Sequence, residues 1–157
     1  MKLLLIHILL ALAWTALTGH FVAANFIVGL VLAFPILWLT QRDDSTFSYI
    51  TKICQVAGFS AFFLWELLKA NFRVAHDVLT PRHHMRPGVI AVPLDLASDL
   101  EILVLTTFIT LTPGTLSLDV SADKRTLYIH AIYIDDVTRF RESIKRGYEK
   151  RVHEVLR

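Results

Sequence analysis

Between Leu3 and Thr40 the only titratable side chains are the imidazoles of His7 and His20, whereas from Asp119 to Arg157 charges are dense. A water-soluble domain does not segregate its residues this way, because each of its elements needs a wet face. Drawn out as one helix, Leu3–Leu39 would be about 55 Å long, against a hydrocarbon core of ~30 Å. The stretch must therefore bend or break. Thr18-Gly19-His20 is the expected break, since Gly weakens a helix and His prefers an interface. Two short apolar segments result, about residues 3–17 and 21–39, predicted to form a hairpin. Pro35 predicts a kink or an early end in the second. The apolar run continues past any cleavage site, which argues against a removed signal peptide.

The chain has 157 residues, 54% of them hydrophobic and only 19% charged, which suits a membrane region carrying one small domain. A polar loop is predicted over Gln41–Tyr49, and a third apolar segment, a full span, over Ile50–Phe72. Glu66 lies within that segment. A mid-bilayer acid costs about 3 kcal/mol on insertion scales, which a handful of Leu or Phe residues offsets. Lys69, Arg73, Arg82 and Arg86 flank the C-terminal end of the segment against Arg42 at the other, so the positive-inside tendency puts the C-terminal part in the cytoplasm. The expected organisation is a transmembrane region over 1–75, a linker over 76–87 and a cytoplasmic α+β domain over 88–157.

That domain reads as β-α-β-β-α. Pro87-Gly88 is a turn signal, and Val89–Leu94 is apolar and β-branched, as a strand is. Ser98 and Glu101 have capping-box spacing, so a helix is expected from there to about Leu111, ended by Pro113-Gly114. Thr115–Val120 and Thr126–Ile134 read as strands joined by a turn over Ser121–Arg125. A last helix, capped by Asp135 or Asp136, is expected to run to about Leu156. Its apolar stripe is Val137, Phe140, Ile144, Tyr148, Val152 and Val155.

The first helix of the domain is apolar almost all round, through Ile102, Leu103, Val104, Leu105, Phe108, Ile109 and Leu111. A helix on one face of a small sheet needs only a stripe. The excess predicts docking on membrane segments or a partner, with Ile102, Leu105, Phe108, Ile109 and the turn Thr112, Pro113, Gly114, Thr115 as the docking or structural residues.

Catalytic signatures are missing: the sequence holds no phosphate-binding loop, nucleophile elbow or HExxH. No metal site or cofactor is expected, because His83-His84 has no spaced third ligand and Cys54 stands alone. Asp95, Asp99 and Glu101 read as capping groups, Asp99 and Glu101 diverging on a helix. A net charge of +2 with no basic run interleaved with aromatics excludes nucleic acid. Acids interrupt the basic face of the last helix, so solvation explains it better than lipid binding. Glu66 is a functional candidate as an intramembrane ionisable residue, although pairing with Lys69 at i+3 is the plainer reading.

The runs Pro87–Leu96 and Ile109–Val120, with its Leu111-Thr112-Pro113-Gly114-Thr115 block, resemble the E subunit of Mrp-type (Mnh) multisubunit sodium/proton antiporters. Leu127–Ala131, Asp135-Asp136, Asn71-Phe72 and Val74-Ala75 fit as well. The resemblance implies a multi-pass component of a bacterial plasma-membrane complex serving pH and sodium homeostasis. It also implies the other antiporter subunits as partners, with a dimer of complexes as a higher order, and a role in assembly outside the main ion path. The reading from another class is a stand-alone membrane-anchored ligand-sensing or adaptor module; a membrane-tethered enzyme ranks last.

Overall fold

The computed structural model describes residues 2–40, 44–80, 85–96 and 98–157. Two compact units divide the chain, Met1–Cys54 and Gln55–Arg157.

In the first unit α1 (Lys2–Thr18) and α2 (Ala23–Thr40) form the hairpin expected from the sequence. Gly19 turns the chain with φ +68, a left-handed conformation open to Gly at no steric cost. The helices run antiparallel. The Trp14 indole donates to the Asn25 side-chain oxygen at 3.0 Å, and His7 Nε2 lies 2.8 Å from the Leu30 carbonyl. Small residues permit close approach: a Cβ at Gly29 would sit 2.9 Å from the Ala11 carbonyl oxygen. Ala11, Ala33 and Leu37 are buried along this seam, while Leu9, Leu17, Val31 and Leu39 remain exposed. Contrary to an early end at Pro35, α2 continues to Thr40.

The expected polar loop over Gln41–Tyr49 is corrected. Residues 44–49 already belong to α3 (Asp44–Leu79), and 41–43 lie outside the described residues. Polar residues are as ordinary in the first turn of a helix as in a loop, so polarity alone misled. Tyr49 extends its hydroxyl to 3.0 Å from His7 Nδ1, which engages both ring nitrogens of that histidine.

The expected linker is corrected too. Residues 76–79 continue α3, Arg82, His83 and His84 fall outside the described residues, and the second unit begins at Gln55, far ahead of residue 88. Over Ser48–Leu79, α3 is long and apolar enough to cross a membrane. One face of it is nevertheless part of a protein core. Phe59 and Phe63 each pack edge-on against Phe108 with ring centres 4.6 Å apart, and Phe62 meets Tyr148 at 5.3 Å. An apolar helix face satisfies lipid and protein alike, which is why the sequence pattern did not separate them.

The rest of the unit is a three-stranded antiparallel sheet of order β1-β3-β2, with β1 Gly88–Pro93, β2 Thr115–Val120 and β3 Thr126–Ala131. β1 and β2 flank β3, and α4 (Asp99–Leu111) connects them. The strand expected to reach Ile134 ends at Ala131. Beyond it the chain turns to Arg86, which donates from N–H to the Ile132 carbonyl at 2.9 Å and accepts from the Ile134 N–H at 3.2 Å. Alternation places Ile90, Val92, Leu127 and Ile129 on the inner face with α4 and the last helix, and leaves Val89, Leu116 and Tyr128 exposed on the other.

The predicted last helix is interrupted. α5 (Val137–Ser143) passes into a π-helical turn (Ile144–Glu149) and then α6 (Lys150–Leu156). Phe140, Ile144, Tyr148 and Val152 are spaced by three successive steps of four. In a straight α-helix each such step drifts by about 40°, so the run would wind off the core. The wider π turn cancels the drift, and Ile144, Tyr148 and Val152 are all buried. Arg151 donates to the Gly147 carbonyl within this turn at 3.1 Å and stacks 4.1 Å above the Phe62 ring centre.

Candidate functional site

Thr112-Pro113-Gly114-Thr115 forms a type II turn, with Pro at the second position and Gly114 at φ +90 in the third. The Thr115 N–H closes it by donating to the Thr112 carbonyl at 3.1 Å. Threonine hydroxyls fasten the turn to the end of α4. Thr115 Oγ1 donates to the Ile109 carbonyl at 2.6 Å, and Thr112 Oγ1 to the Phe108 carbonyl at 2.9 Å. Gly114 presents its carbonyl to the Ile132 N–H at 2.9 Å, which ties the turn to the chain beyond β3.

This turn walls a cavity of about 280 Å³ inside the second unit. Glu66, Lys69 and Arg73 of α3 line it, along with Tyr133 and the Tyr148 of the π turn. Their spacing, i, i+3 and i+7, places the three charged residues on one face of α3. The structure thus brings Glu66 and the turn, two separate candidates in the sequence, into one site. The Lys69 ammonium donates to Glu66 at 2.6 Å. The Arg73 guanidinium stacks 5.4 Å from the Tyr133 ring centre. Burial pushes the Tyr133 hydroxyl above its ordinary pKa, and its hydrogen bond to Asp77 adds to that. Tyr148 is likewise raised, first by burial and further by the negative charge of Glu66, while a contact to Thr112 works the other way.

The docking residues are redistributed. Ile102, Leu105 and Ile109 are 7%, 0% and 1% exposed, and Phe108 lies between Phe59 and Phe63, so these four build the unit's own core. Of the two neighbours expected for α4, membrane segments or a partner, Phe108 meets the apolar segment α3, and the large side chains α4 leaves open are Leu100, Leu103 and Leu111. The physical reason is the aromatic wall of α3, which covers a second side of α4 that the small sheet does not reach.

The remaining candidates have structural partners. Glu101 accepts from the Ser98 N–H at 3.1 Å, the return half of the capping box, and meets His153 Nδ1 at 2.9 Å. Asp99 pairs with Lys124 and Asp95 with Lys145. Among the described residues no three His, Cys, Asp or Glu side chains are grouped to hold a metal ion. Sequence reasoning missed Arg73, Tyr133 and Tyr148 as lining residues. Only the run of four-residue steps through Tyr148 signalled an irregular helix there.

The model of a family described as Na+/H+ ion antiporter subunit matches residues 7–155. The chain is 37% identical to the E subunit of the Na(+)/H(+) antiporter of Bacillus subtilis, over 98% of both chains. It is 34% identical to the E1 subunit of the Na(+)/H(+) antiporter of Staphylococcus aureus, over 97% of this chain and 96% of that one. Among solved structures, a chain of the Mrp complex from Dietzia sp. aligns with TM-score 0.51 at 27% identity, over 65% of this chain and 96% of that one. A chain of the membrane-bound sulfane sulfur reductase, an archaeal respiratory membrane complex, aligns over 98% of both with TM-score 0.56 at 25% identity. With a family match across nearly its whole length and relatives above 30% identity, the chain belongs to the family of Na+/H+ antiporter E subunits.

Proposed function

We propose that this chain is an accessory, non-catalytic subunit of a multisubunit Na+/H+ antiporter in the bacterial plasma membrane, needed for assembly and outside the ion path. Its apolar helices lie in the bilayer and its sheet-bearing unit faces the cytoplasm. The observation that carries this reading is the state of Glu66. Its carboxylate is held by Lys69 of its own helix at 2.6 Å, beside the turn that follows α4. An ion-carrying carboxylate needs to exchange partners, and a proton relay needs further ionisable groups along its route. Between Leu3 and Thr40 the sequence offers only His7 and His20, and both nitrogens of His7 are engaged.

Docking on the other subunits falls to the apolar side chains left open: Leu100, Leu103 and Leu111 of α4, and Val89 and Leu116 on the bare sheet face. Exposed apolar side chains of this kind, on the outer side of α4 and on the face of the sheet turned away from it, suit permanent partners.

The test is co-purification in mild detergent with antiport measured in parallel. Leu103→Glu is expected to lose the hydrophobic partner subunits while the chain keeps its own melting temperature. Glu66→Gln is expected to leave the sodium dependence and pH profile of antiport unchanged; a shifted profile would place this chain on the ion route.

A further inference from the structure

Lys69 and Arg73 stand one helical turn apart on α3, and both line the cavity beside the Thr112–Thr115 turn. The Arg73 guanidinium carbon lies over the Tyr133 ring, 5.4 Å from its centre, and a guanidinium carries five N–H donors for an acceptor in the cavity. Among the lining residues, Lys69 and Arg73 against Glu66 leave a single positive charge, matching the single negative charge of a phosphodiester, and Asp77, hydrogen-bonded to Tyr133, is not part of the lining. Its remaining lining is amphipathic: the hydroxyl residues Thr115 and Ser143 against Ile109 and Phe140. Along α3 the exposed residues Leu64, Trp65 and Leu68 come immediately before Lys69. An apolar run ending in Trp and then basic residues is how a helix meets the headgroup layer of a membrane.

We propose that this cavity seats the phosphate of an anionic membrane phospholipid. Arg73 and Lys69 are its cationic ligands, and the acyl chains lie along Trp65 and Leu68. Arg73 supplies the directional contact, since a guanidinium edge matches two phosphate oxygens at once. Lys69 keeps Glu66 as a partner and contributes as a point charge. The proposal rests on the membrane reading of α3 only for the source of the ligand.

The full chain in neutral detergent is titrated calorimetrically with dihexanoyl phosphatidylglycerol, dihexanoyl phosphatidylcholine and inorganic phosphate. Saturable binding of phosphatidylglycerol, at one per chain, is expected, at least about tenfold tighter than either other probe. Arg73→Gln should weaken it by roughly tenfold or more, and Arg73→Lys by less, reflecting lost bidentate contacts. Lys69→Gln, which leaves the Tyr133 stack in place, should weaken it severalfold. Lys150→Gln, on an exposed face, should change nothing. Equal binding of phosphatidylcholine overturns the proposal, as does equal binding of inorganic phosphate, or an Arg73→Gln chain that melts normally and binds as before. Purification of the chain without detergent as a compact monomer would sink the membrane reading separately, leaving the phosphate contacts to be judged by the titration.

Discussion

The Tyr148 hydroxyl lies 3.3 Å from the Thr112 hydroxyl, and through this contact the π turn of the last helix touches the turn that ends α4. Burial holds this phenol neutral above its ordinary pKa. A folded-state pKa raised above the unfolded one contributes stability that is complete below about pH 10 and is lost as pH rises toward the folded value. Thermal melts between pH 8 and 11 should therefore fall less steeply for Tyr148→Phe than for the parent chain. An identical slope for the two would remove Tyr148 as the source.

Gly114→Ala should destabilise the second unit by about 1–2 kcal/mol, the cost of a side chain in the left-handed region. The cost is conformational, because the added Cβ would lie 3.4 Å from Tyr133, an ordinary contact. Differential scanning measurement of the detergent-solubilised chain checks the magnitude. The antiport complex should be less abundant without a change in ion selectivity.

Gly29 predicts a steric failure of another kind. A Cβ there would meet the backbone of α1 at 2.9 Å, and backbone does not swing aside as a side-chain end does. Gly29→Leu should drive α1 and α2 apart, and the level of chain in membranes should fall well below that of Gly58→Leu, where an added Cβ meets nothing. Equal levels would mean that the seam contributes little.

Asp136 caps α5 by accepting from the N–H groups of Thr138 at 2.7 Å and Arg139 at 3.1 Å. These bonds, that to Arg139 first, hold its carboxyl below the usual range. The depressed value means the cap is fully present above about pH 4 and is lost as pH falls through the folded pKa. Amide exchange at Thr138 and Arg139, corrected for intrinsic rates, should accelerate below pH 4 in the parent chain. In Asp136→Ala it should be fast throughout.

Local chemistry was the part of this chain that could be read in advance. The Gly19 break, the Ser98–Glu101 box, the Pro113-Gly114 turn and the β2–β3 hairpin each depend on residues close in sequence. What escaped depends on distance. Phe59, Phe62 and Phe63 look the same whether they meet acyl chains or Phe108, and only tertiary packing decides. Glu66 and Gly114 share a cavity because α3 belongs to the second unit's core, which no local pattern announces. Polar residues over 44–49 suit a first helical turn as well as a loop, and steps of four in the last helix fit an uninterrupted stripe as well as a π turn.

The aromatic wall of α3 also imposes a sequence of events on biogenesis. A fragment starting at residue 88 would emerge with Phe108 and Tyr148 uncovered, so it should aggregate where a fragment starting before Gln55 does not. On the ribosome, the residues of α3 leave the exit tunnel before the sheet-forming residues do. The later half of the polypeptide therefore matures on a template already laid down by the earlier one, and a delay in placing that helix should expose the nascent chain to quality-control proteases.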